Sequence, residues 1–74
     1  MQVRPIGSNQ TELIKEDGTV VLFSYESPVA AYLPDRGYVK TSKKWSQTTS
    51  RHVNKWADTY VESLPQNVLY GLVQ

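Results

Sequence analysis

Seventy-four residues without a cysteine make one domain, near the lower limit at which a single apolar core holds a fold, and exclude both a disulfide framework and a thiolate zinc site. An intracellular setting is permitted, and stability is left to packing or to a partner subunit. The net charge of +1 hides a polarity: six cations and no acid lie between Arg36 and Lys55, and two cations stand against seven acids elsewhere, so +6 faces −5.

In chain order, residues 1–6 read equally as a short strand or a frayed end, and Gly7, Ser8 and Asn9 supply turn chemistry. Residues 10–15 suit a strand, Glu16-Asp17-Gly18 a turn, and 19–25, TVVLFSY, is rich in the β-branched and aromatic residues that fill strands. Its alternation puts Val21, Phe23 and Tyr25 on one face and Val20, Leu22 and Ser24 on the other. Both faces are partly apolar, as in a central strand. Ser27-Pro28 interrupts the pattern, 29–33 resumes it, and Pro34-Asp35-Arg36-Gly37 forms a turn leading to a fourth strand at 37–41.

Beyond Thr41 the period changes. Val53, Trp56, Ala57, Tyr60, Val61 and Leu64 fall at the i, i+3, i+4, i+7, i+8 and i+11 spacing of an amphipathic helix, predicted over about 50–63. Thr48, Thr49 or Ser50 stands where its N-cap is needed, and Pro65 ends it. Residues 65–74 form a short apolar extension that packs back on the sheet. The predicted fold is a single α+β domain over 1–74, a small antiparallel meander of three to four strands with one amphipathic C-terminal helix across one face.

Apolar runs such as Val20 to Phe23 are far too short to cross a bilayer, and the N-terminus lacks the apolar region of a signal peptide, so a soluble protein is expected. One histidine with scattered carboxylates offers no metal-ligand spacing, and there is no glycine-rich phosphate loop, so neither metal nor cofactor is expected. A triad of Ser50, His52 and Asp58 fails on geometry: on one helix residues 50 and 52 point about 200° apart. His52 reads as a surface or helix-shoulder residue, Trp56 and Tyr60 as core, and the chain as no enzyme.

The segment with functional content is Lys40 to Lys55, KTSKKWSQTTSRHVNK, with five cations and no acid. Lys40, Lys43, Lys44, Arg51 and Lys55 come from a strand, a loop and the start of a helix, where backbone N–H groups already favour an anion. Hydroxyls add neutral phosphate donors, and Trp45, if exposed, can stack on a base. The plainer reading has the lysines solvate the loop, the hydroxyls cap the helix and Trp45 anchor the loop to the core. The expected function is therefore binding, through Lys40, Lys43, Lys44, Trp45, Arg51 and Lys55, to nucleic acid or to an acidic protein. The alternative is a structural or self-assembling protein that uses an exposed sheet face or edge, as a monomer or homodimer.

The run TVVLFSYESPVAAYLPDRGYVKTSKKWSQTTSRHVNKW resembles a short domain of small uncharacterised proteins of tailed bacteriophages. The likeness is carried by Ser24 and Tyr25, Pro28, Val29 and Ala30, Lys40 and Thr41, Ser46, Thr48, Thr49, Ser50 and His52, and Trp56. It covers about half the chain. The resemblance implies a phage origin and expression in the cytoplasm of an infected bacterium, with a host protein among the candidate partners, and it supplies no functional residues.

Overall fold

The computed structural model describes residues 2–57 and 61–73. It is an α+β fold, with six strands in one sheet and two helices among these residues. The strands β1 (Gln2–Gly7), β2 (Gln10–Ile14), β3 (Val20–Ser24), β4 (Ser27–Leu33) and β5 (Gly37–Thr41) lie side by side in chain order, each antiparallel to the last. Helix α1 (Gln47–Trp56) then carries the chain over one face, and β6 (Glu62–Leu64) returns parallel to β5. A parallel neighbour requires such a crossover. Helix α2 (Gln66–Leu72) closes the chain.

The turns follow from their residues. Arg36 N–H donates to Leu33 C=O at 3.1 Å around Pro34 and Asp35, and Gly37 follows at φ 89°. The three-residue loop is thus closed by a left-handed residue at the start of β5, the conformation glycine adopts without steric cost. Gly18 does the same at φ 95° before β3, and Thr19 N–H donates to the Asp17 carboxylate at 2.9 Å. The two-residue turn between β3 and β4 forces Tyr25 to φ 58°, an uncommon state for a bulky side chain. A 2.7 Å bond from Tyr25 N–H to Asn9 C=O holds it there.

The alternation of β3 sorts the core into two clusters. Val21 packs with Ala31, Val39 and Leu69 beneath α2, and Leu22 packs with Val29, Ala30 and Val53 beneath α1. A register shift between Leu22 and Phe23 lets Val29 and Ala30 both reach the α1 face and accommodates Pro28 in the strand. Helices on both faces make three layers, so β3 is apolar on both sides.

Four expectations change. The sheet exceeds three to four strands because 2–7 is a full strand and β6 adds a parallel one. The helix read over 50–63 starts at Gln47 and ends at Trp56, with Ala57 as C-cap. Residues 62–64 are extended, while Tyr60 and Asp58 lie outside the described residues. The N-cap is Ser46, whose hydroxyl accepts from Thr49 N–H at 3.3 Å, and none of Thr48, Thr49 and Ser50. The 65–74 extension contains a true helix, which covers the second face.

Candidate anion-binding site

At the end of β5 the chain turns out of the sheet, crosses over and enters α1, leaving a cleft of about 360 Å³. Lys40, Lys43, Lys44 and Trp45 line it with Thr41 and Ser42 from the strand end. Thr49, Ser50, Val53 and Asn54 line it from one flank of α1, and Ser63 from β6. Among the described residues no carboxylate does. Lys43 N–H donates to Thr41 Oγ1 at 3.1 Å and Ser42 N–H to Leu64 C=O at 2.8 Å, which fix the loop to both parallel strands.

Four of the six predicted site residues thus converge, and two do not. At 100° per residue Arg51 and Lys55 fall on the outward face of α1, away from the flank that carries Ser50 and Asn54. They border the approach and leave the lining to others. Arg36 leaves the cationic set altogether, because its Nη2 donates to both Glu62 oxygens at 2.9 Å and ties β6 to the β4–β5 turn. The lining residues missed from sequence are Ser63, hidden by the helical reading of 62–64, and Asn54. Asn54 was findable in principle, one turn after Ser50 on the same flank.

Trp45 is half-buried against the cluster formed by Leu22, Val29, Ala30 and Val53. Its Nε1 makes a long 3.4 Å bond to Gln66 Oε1, and Gln66 Nε2 donates to Pro28 C=O at 2.7 Å. Lys43 Nζ sits 4.4 Å from the ring centroid, in cation–π range. The tryptophan is an anchor whose remaining surface lines the cleft, and a base can stack there only by displacing Lys43.

Behind the cleft a polar chain, buried at Ser24 and Thr49, binds α1 to the sheet. Ser46 Oγ donates to Thr49 Oγ1 at 3.4 Å, Thr49 Oγ1 lies 3.0 Å from Ser24 Oγ, and Ser24 Oγ lies 2.9 Å from His52 Nδ1. With Ser46 donating first, the hydroxyl protons run in one direction and end on an accepting Nδ1. This is a Ser–His contact that sequence spacing did not suggest, since Ser24 comes from β3. Ser24 is 2% exposed, so no substrate reaches its Oγ. The chain is architecture. It unites Ser24, Ser46, Thr49 and His52, four of the positions on which the phage resemblance rests.

Among the described residues no group of three or more His, Asp or Glu is placed to hold a metal, and no helix is long and apolar enough to cross a membrane. Residues 1–68 match the profile of a family of unknown function, DUF8033. The chain belongs to this family. No curated protein and no solved structure matches it. The match takes in the whole lysine cleft and the hydroxyl–imidazole chain, and it stops within α2.

Proposed function

We propose that this chain is a non-catalytic binding protein whose basic cleft grips the phosphate backbone of a nucleic acid. The observation that carries the reading is the lining itself: three lysines and a row of hydroxyls around one cavity, with no carboxylate among the described residues. Cations supply sequence-independent attraction by displacing counterions, and hydroxyls and helix-start N–H groups position phosphate oxygens. Because Lys43 already occupies a face of Trp45, backbone contact outweighs base stacking, and little sequence preference is expected. An acidic host protein offers the same charge and is the other partner this surface suits. The resemblance to tailed-phage proteins supports a phage-type accessory role in the cytoplasm of an infected bacterium.

A mobility-shift titration with short single- and double-stranded DNA and RNA at two salt concentrations tests this. Engagement of about three phosphates gives a log–log salt slope of roughly −2 to −3. The paired change Lys43→Glu and Lys44→Glu lowers affinity at least about tenfold at low salt. Absence of binding to every probe at low salt sinks the nucleic-acid reading. Capture of a host protein that the same variant abolishes would then assign the cleft to an acidic protein.

One observation favours a second reading, self-assembly. Strand β1 is one of the two edge strands, exposed at all six positions, with Val3 65% exposed. An open edge of this kind templates pairing with a second copy, although Arg4 and Pro5 blunt it. Light scattering across a concentration series distinguishes monomer from homodimer, and a dimer that Val3→Lys dissolves supports the edge.

A further inference from the structure

Helix α1 covers only part of its sheet face. Beyond its C-terminal end lies a second recess of about 310 Å³, lined by Glu12, Val20, Tyr32, Tyr38 and Trp56. It shares no lining residue with the lysine cleft, which is built on the other end of the helix. Its walls are aromatic and nearly perpendicular: Tyr32 and Tyr38 meet at 5.1 Å and 62°, Tyr38 and Trp56 at 5.5 Å and 89°. The register creates the array, because Tyr32 and Tyr38 are paired across β4 and β5 and Trp56 is the last residue of α1.

Among the described residues the one charge lining this recess is negative. Trp56 Nε1 donates to Glu12 Oε2 at 2.6 Å, which aims the carboxylate along the ring wall and leaves Oε1 free of hydrogen bonds among the described residues. Arg4 stands opposite Glu12 on β1, but it is exposed and forms no ion pair with it among those residues. A half-buried carboxylate with no ion-pair partner among the described residues, beside three aromatic rings whose faces carry negative potential, is a site for a cation. The volume is at the lower end for ligand sites and fits a head group better than a whole metabolite. A primary ammonium has three N–H donors to satisfy, and beyond Glu12 the side chains of this wall offer only the hydroxyls of Tyr32 and Tyr38. A methylated ammonium has no such need and gains from every ring.

We propose that Glu12, Tyr32, Tyr38 and Trp56 form a binding site for a quaternary or fully methylated ammonium group. Two sources present that group, a small molecule such as choline and a trimethylated lysine side chain.

The test follows the Trp56 indole N–H resonance of the isotopically labelled full chain. It is titrated with choline, with the neutral carbon isostere 3,3-dimethyl-1-butanol, and with a trimethyllysine peptide beside its unmethylated counterpart. The expected result is a saturable shift with at least one cation, about fivefold or more stronger than with its uncharged or unmethylated control. Tighter binding of the trimethyllysine peptide assigns the site to a protein partner, and tighter binding of choline to a small molecule. Glu12→Gln, which keeps an acceptor for Trp56, and Tyr32→Leu at the exposed rim each weaken binding about three- to tenfold, with resonances of the lysine cleft unmoved. No saturable shift of the unaltered chain by about 10 mM of either cation, or an equal response to the neutral isostere, overturns the proposal. That comparison decides the matter even where a variant fails to fold.

Discussion

Ser24 links the sheet to α1 by a single hydroxyl. It is buried and lies within hydrogen-bond distance of both Thr49 and His52, so Ser24→Ala leaves two polar groups short of a partner in the interior. The expected cost is about 1–3 kcal/mol, the usual penalty for buried polar groups deprived of partners, read by urea denaturation. Thr49→Val on the same chain costs a similar amount, and the double variant costs less than the sum because the two groups share a bond. A second residue-scale effect concerns pH. The backbone N–H of Thr19 donates to the Asp17 carboxylate, and this holds Asp17 below the ordinary carboxylate range. A folded-state value below the unfolded one stabilises the fold above the unfolded pKa, and that stabilisation is lost as pH falls through the folded value. Asp17→Asn cannot titrate, so the stability gap between wild type and variant narrows as pH is lowered from 6 towards 3. A gap that stays constant over that range would remove Asp17 from the acid response. Sequence alone reached neither point: the Asp17 turn was legible in Asp-Gly, but the partner of His52 was not, because it lies on a strand 28 residues away.

At the scale of elements, strands 2 to 5 were readable because of local signals, alternation bounded by Asp-Gly and by Pro-Asp-Arg-Gly. Ser27-Pro28, read as a break before 29–33, nevertheless lies inside β4, and the turn before it is Tyr25-Glu26. The Gly37 turn gives a direct check. A methyl group added at Gly37 meets nothing within 4 Å, so Gly37→Ala isolates the backbone cost of φ 89°. About 1–2 kcal/mol of lost stability is expected, measured by thermal unfolding. The C-terminal third misled for a physical reason. Val53, Trp56, Val61 and Leu64 keep helical spacing, yet Val53 and Trp56, on α1, pack against Leu22 on one face of the sheet while Leu64 packs with Val21 on the opposite face. One stripe in the sequence therefore serves two layers. No glycine or proline marks the end of α1 after Trp56, and a three-residue parallel strand has too little length for its period to show. The candidate site shared this fate: its lysines were visible as a charge cluster, while Ser63 depended on a strand that the stripe concealed.

For the whole molecule, the consequence is a sheet that must be covered twice by a short chain. Each face of β3 is apolar, and α2 supplies the only helical cover among the described residues for the face of Val21, Ala31 and Val39. Leu69 is fully buried there, and Lys15 Nζ donates to Leu72 C=O at 3.0 Å, a cation satisfying the helix's C-terminal end. Removing a fully buried leucine side chain typically costs about 2–5 kcal/mol, against about half the stability of an ordinary larger domain available to one of this size. Leu69→Ala is therefore expected to lower the urea midpoint sharply while leaving a folded majority in water. A chain ending at Pro65 loses all of α2, exposes Val21, Ala31 and Val39 together, and is expected to lose its cooperative transition and bind a hydrophobic dye. The lysine cleft lies on the other side of the sheet, but Gln66 joins the two sides by bonding both Trp45 and Pro28. Loss of α2 should then abolish anion binding along with the fold, whereas Leu69→Ala should spare binding at temperatures where the domain stays folded. Retained cooperative unfolding in the truncated chain would show that the six-stranded sheet and α1 suffice, and that the second helical layer is dispensable.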